Sequence, residues 1–108
     1  MRDETQEAIV EAAFRAFGDF GYEKATTKRI AEYAGVNEVT IFRKFGNKAA
    51  LMQEAVRREM EALQAHIRYT GDLEGDLAEL VATYQALVRR RGRFLPTLFS
   101  EVLRRPEF

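Results

Sequence analysis

The sequence predicts an all-α fold of six helices. Two observations lead there. Apolar residues recur at spacings of three and four along nearly the whole chain, the period of a helix with one buried face. Glycines and capping residues then separate those stripes at regular points. No stretch alternates apolar and polar residues as a half-buried strand does, and no segment repeats.

Each element has its own signal. Ile9, Val10, Ala13, Phe14 and Phe17 form the first stripe, and Gly18 and Gly21 place the end of that helix near Phe17 to Asp19. Thr26 and Thr27 offer an N-cap oxygen to a short second helix, in which Ile30, Ala31 and Ala34 face inward and which Gly35 stops. Asn37 caps a third helix whose apolar residues are Val39, Ile41, Phe42 and Phe45. Gly46 breaks it and Asn47 caps a long fourth helix, reaching to Tyr69, with Leu51, Met52, Ala55, Val56, Met60, Leu63 and Ile67 as its stripe. Gly71 and Gly75 mark a loop. A fifth helix, 77–91, carries Leu77, Leu80, Val81, Tyr84, Leu87 and Val88 and stops at Gly92. Pro96 suits the first turn of a sixth, 96–105, where its missing N–H costs nothing. Leu98, Phe99, Val102 and Leu103 form its inner face, and Pro106 ends it.

Composition narrows the function. Hydrophobic residues make up 46% and charged residues 31% of the 108, a globular balance. Cysteine is absent, which excludes disulfides and thiolate metal sites. The one histidine, His66, cannot hold a metal alone, and reads as a helix-surface or core-edge residue. No apolar run approaches the ~20 residues of a membrane span, and the polar start lacks a signal peptide's apolar stretch. A cytoplasmic location is the expectation. No phosphate-cradling glycine loop, no Ser/His/Asp set and no supported carboxylate pair appears, so neither an enzyme nor a cofactor is expected.

The net charge of zero hides segregation. Residues 1–23 hold six acidic side chains against two basic ones. Residues 24–48 reverse this, with Lys24, Lys28, Arg29, Arg43, Lys44 and Lys48 against Glu32 and Glu38. Residues 49–88 are again acidic and 89–108 basic. A nucleic-acid backbone responds to the local field, because salt screens charges beyond ~10 Å. The basic block coincides with the second and third helices. Gly35-Val36-Asn37 joins them in a turn that needs positive φ, small Ala31 lets them cross closely, and Val36 and Ile41 fix the crossing. The third helix then projects outward with Glu38, Thr40, Arg43 and Lys44 exposed, as a reading helix must to enter a ~12 Å major groove.

The stretch TTKRIAEYAGVNEVTIFRKFGNKAALM, from Thr26, resembles the signature of the TetR family of bacterial one-component repressors. The matching residues are Thr27, Ile30-Ala31, Ala34-Gly35-Val36, Asn37, Thr40, Phe42, Phe45, Lys48 and Leu51. The preceding AAFRAFGDFGYEKAT resembles the family's first helix and its exit, at Phe17, Gly21 and Tyr22. The resemblance covers about residues 8–52. It implies that Thr27 and Lys48 hold phosphates, and that Lys28, Glu38, Val39, Thr40 and Arg43 face base edges or nearby phosphates. Phe42 replaces a common Tyr and loses its hydroxyl, which leaves packing on a sugar or a thymine methyl. Lys44 replaces a common His or aromatic residue. Acidic Glu38 stands where basic or neutral residues are usual; it repels phosphate, yet suits a cytosine amino group. The family's basic arm is reduced to Arg2.

The resemblance also implies two domains: a helix-turn-helix DNA-binding domain at 1–46, and at 47–108 a linking helix with an incomplete effector and dimerisation domain. Two helices beyond the fourth cannot enclose an effector pocket, which gives the chain a truncated look. The expected partners are a double-stranded DNA operator, a second copy in the full-length form, and a small-molecule effector. Uncovered apolar faces on the last two helices favour self-association. The run Arg89-Arg90-Arg91-Gly92-Arg93 reads as helix-terminal cations rather than a second nucleic-acid patch, and Tyr84, Phe94 and Phe99 as helix packing rather than a ligand cavity. The competing reading is a helical interaction or oligomerisation module that kept the hairpin without DNA function.

Overall fold

The computed structural model describes residues 3–105. Arg2 and Pro106 lie outside them. The described chain is six helices: α1 (Glu4–Lys24), α2 (Thr27–Ala34), α3 (Glu38–Phe45), α4 (Lys48–His66), α5 (Leu73–Arg91) and α6 (Phe94–Arg104). No strand occurs among the described residues, as the periodicity requires.

The expected caps form. Thr26 Oγ1 accepts from the Arg29 N–H at 3.2 Å, Asn37 Oδ1 from Val39 at 2.9 Å and Asn47 Oδ1 from Ala50 at 2.8 Å. Asp3 adds a cap on α1, accepting from Thr5 and Gln6. Each such cap satisfies a donor that the first helical turn leaves unpaired.

Four boundaries differ from the sequence reading, and one of them is the end of the fourth helix, which stops at His66 rather than Tyr69. The first helix does not stop at Gly18. It continues until Gly21 breaks it at φ 78° and resumes for one turn to Lys24. Gly18 lies inside the helix, and its missing side chain makes room for the start of α6: a Cβ at that position would lie 2.9 Å from the Arg93 Cβ. The fifth helix begins at Leu73 rather than 77. Gly75 belongs to its first turn, where Asp72 Oδ1 accepts the Gly75 N–H at 3.3 Å. The sixth begins at Phe94, which changes its inner face: Phe94 and Glu101 are buried and Leu98 packs on the core, while Phe99, Val102 and Leu103 are exposed.

One core lies around α1. Ile9, Ala13, Ala16 and Phe17 are fully buried there, joined by Ile30 and Ala31 of α2, Ile41 of α3, Leu51, Met52 and Ala55 of α4, and Phe94 of α6. Phe94 meets Phe14 edge-on at 4.8 Å between ring centres and tilts against Phe17 at 6.3 Å, the geometries aromatic quadrupoles favour. By contrast, the α5 stripe of Leu77, Leu80, Val81, Tyr84 and Val88 is exposed, as is Phe99.

The arginine run is wired into the fold. Arg90 and Arg91 both reach Glu59 of α4. Arg91 also pairs with Glu11 of α1 at 2.7 Å and covers the Phe14 ring at 4.0 Å, while Arg93 binds Asp19 at 2.8 Å. Arg91 is only 9% exposed, so those carboxylates replace the water its guanidinium loses.

Two outcomes follow. Gly18→Ala should lower unfolding stability by about 1 kcal/mol in urea, because overpacking against Arg93 outweighs the helix-propensity gain; a more stable variant would show that α6 yields freely. Arg91→Ala should cost about 2 kcal/mol, less than a fully buried pair, since Glu11 is open to solvent. Glu11→Ala should cost clearly less than Arg91→Ala, and equal losses would contradict this account.

Candidate nucleic-acid interface

α2 and α3 form a hairpin whose turn is set by Gly35, at φ 73° and ψ 31°. Its N–H and that of Val36 bond back to the carbonyls of Glu32 and Ala31 at 3.3 and 3.1 Å. A left-handed residue at this point closes α2 and redirects the chain at once into α3. Val36 packs against the core, so the turn is anchored from beneath.

α3 buries little. Ile41 is its one fully buried side chain. Val39 is 55% and Phe42 46% exposed, although the apolar pattern placed both among the helix's hydrophobic residues. Arg43 and, on α2, Lys28 are exposed; Thr40 is half-buried. The exposed face of α3 is apolar at Val39 and Phe42 and cationic at Arg43.

The remaining expected contacts already have partners inside the protein. Thr27, first residue of α2, donates its hydroxyl to Glu38 Oε2 at 2.6 Å, which ties the starts of α2 and α3 together. Lys44 binds the Asp3 carboxylate at 2.7 Å. That bond, helped by the capped N–H groups, holds the Asp3 carboxyl below the usual aspartate range. Lys48 donates to the Tyr22 carbonyl at 2.6 Å and sits 4.2 Å over the Tyr22 ring. Burial pushes its pKa below the ordinary lysine value. So the structure brings all nine candidates, Thr27, Lys28, Glu38, Val39, Thr40, Phe42, Arg43, Lys44 and Lys48, onto the hairpin and the start of α4. Four of them are paired inside the protein: Thr27 with Glu38 across the hairpin, Lys44 with Asp3 before α1, and Lys48 of α4 with Tyr22 of α1.

Sequence reasoning did not find Asp3 or the buried Tyr22 as internal partners of this surface's lysines. Asp3 is legible as a helix cap, but its partner Lys44 is 41 positions away. Arg29 also differs from a free surface cation: its guanidinium lies 4.2 Å over the Phe20 ring, where an aromatic face attracts it. Among the described residues, no group of histidines and acids could hold a metal ion, and no helix is long and apolar enough to cross a membrane.

Comparison with known proteins places this geometry. Residues 9–55 match the family model described as bacterial regulatory proteins, tetR family. The chain is 38% identical over 98 residues to an uncharacterized HTH-type transcriptional regulator, YvkB, of Bacillus subtilis, covering 90% of this chain and 52% of that one. It is 29% identical over 107 residues to the DNA-binding transcriptional repressor TetR of Mycobacteroides abscessus, covering 98% and 55%. It is 36% identical over 77 residues to the HTH-type transcriptional regulator TtgR of Pseudomonas putida, covering 71% and 36%. The chain thus spans about half the length of the first two relatives. No solved structure matches it. Residues 9–55 thus resemble the tetR family of bacterial regulatory proteins, and the similarity to the first two relatives extends beyond them.

Proposed function

We propose that this chain is a sequence-specific DNA-binding transcriptional regulator, acting as a repressor, that docks α3 in the major groove of a double-stranded operator. One observation carries the reading. α3 is an eight-residue helix with one fully buried side chain, and it presents Val39, Phe42 and Arg43 to solvent. Exposed large apolar groups cost solvation free energy unless a partner covers them. Apolar contact suits thymine methyls, and Arg43 suits a guanine edge or a phosphate. Lys28 adds charge beside them. The names of the relatives, transcriptional regulators and repressors, support the same reading.

Roles follow from exposure. Val39, Thr40, Phe42 and Arg43 form the reading surface; Lys28, Lys44 and Lys48 supply phosphate contacts, each adding salt-dependent affinity. Lys44 must exchange Asp3 for a phosphate, so Asp3 competes with the DNA backbone. In this reading, residues 1–46 are the DNA-binding unit, and 47–108 link it to a dimerising, effector-sensing part of the whole protein. The exposed stripes of α5 and α6 support association with further apolar surface. A homodimer would set two heads on a symmetric operator. Nothing in this reading calls for catalysis, and the cytoplasm, where the operator is, is the expected compartment.

Electrophoretic retardation of duplexes selected from random DNA tests it. Arg43→Ala should change the selected sequence. Lys48→Ala should weaken every duplex and lower the salt slope by about 1. Asp3→Asn keeps the α1 cap but frees Lys44, and should tighten binding roughly two- to fivefold, the worth of a surface ion pair. Retention of no duplex at low salt would refute the proposal and favour an interaction module.

A further inference from the structure

We infer that Glu38 is a specificity-determining residue that commits one position of the bound site to cytosine, and that Thr27 is a positioning residue acting through it. The inference rests on the DNA-binding reading and deepens it. Its basis is the 2.6 Å hydrogen bond from the Thr27 hydroxyl to Glu38 Oε2.

A threonine hydroxyl has one hydrogen to donate. Here it is given to Glu38, so in this geometry Thr27 has none for a phosphate. The family resemblance assigned Thr27 a phosphate; the geometry gives it a carboxylate. The bond fixes that carboxylate. Glu38 is the first residue of α3, at the helix end that meets base edges in this class of motif. The partial positive charge of the helix start is a favourable place for an acidic side chain. Oε2 is held by Thr27, and Oε1 and the remaining lone pairs stay available.

What such a group can read is narrow. An ionised carboxylate only accepts. In the major groove, only cytosine and adenine offer amino hydrogens. Adenine sets its N7 acceptor beside that amino group, guanine shows two acceptors, and thymine an acceptor and a methyl. Each of these turns a lone pair or an apolar group toward the carboxylate. Cytosine presents its donor alone, and is the base that fits.

The test uses the 108-residue chain. Binding sites are selected from random duplexes, and four duplexes differing only at the candidate position are titrated against the wild-type chain and variants whose helical content is checked by circular dichroism. The wild type should prefer cytosine by about tenfold, within the range of one good base contact. Glu38→Gln should shift the preference to adenine, whose N6 and N7 an amide matches. Thr27→Val should cut the cytosine preference to about twofold at an unchanged salt slope, and Thr27→Ser should restore it; a slope change of ~1 is the mark of a lost phosphate contact. If Thr27→Val instead weakens all four duplexes equally and lowers the slope, Thr27 is a phosphate clamp and the inference fails. If the wild type shows no cytosine preference and Glu38→Ala tightens all four alike, Glu38 only repels phosphate, and the inference fails too. Both failures occur with DNA bound. Retention of no duplex by any variant at low salt would instead overturn the DNA-binding reading, and this inference with it.

Discussion

The burial of one face of α1 is the constraint on which the other helices depend. Ile9, Ala13, Ala16 and Phe17 are fully enclosed, and the covering residues come from four other helices. The alanines matter as much as the large side chains. They bring neighbouring backbones close, while Phe14 and Phe17 fill the space that remains with rings set against Phe94. α3 contributes one fully buried anchor, Ile41. The hairpin's outer surface is thereby left open, and its position is nonetheless fixed.

Charge holds what the core does not. α5 buries none of its apolar stripe fully; Arg91 is its one buried residue. That guanidinium joins α5 to α1 and α4 through Glu11 and Glu59. A second junction surrounds Tyr22. Lys48 and Arg105 approach its ring at 4.2 and 4.7 Å, and Arg105 also binds Glu23 at 2.6 Å. The end of α6 and the start of α4 therefore meet on the exit of α1, beside the hairpin. Such pairs are worth little one by one when exposed, and more where burial excludes water.

The six helices were legible because each carries both a stripe and a cap, and Thr26, Asn37 and Asn47 behave as short-range rules require. The errors lie where a distant segment decides. Gly18 looks like a stop in sequence; only the start of α6, some 75 positions later, explains why a glycine stands there inside a helix. Gly75 looks like a loop residue until Asp72 is seen to cap it. Val39 and Phe42 lie on the apolar pattern of α3 and are exposed, and periodicity alone cannot tell a buried stripe from one awaiting a partner. At the candidate interface, residue types and order were legible, but the internal pairings Thr27–Glu38, Asp3–Lys44 and Lys48–Tyr22 were not. Each joins groups that only the tertiary fold brings together.

The α1–α6 crossing at Gly18 has a mechanical meaning. Most helix contacts are cushioned by side chains, which can hop between rotamers and absorb a small displacement. Here one wall of the contact is bare backbone, within about a bond length of steric overlap, since a single added carbon would sit 2.9 Å from the Arg93 Cβ. Such a joint has no slack. It behaves as a reference surface rather than a spring, and a shift of the start of α6 toward α1 has to move α1, with the hairpin that α1 supports.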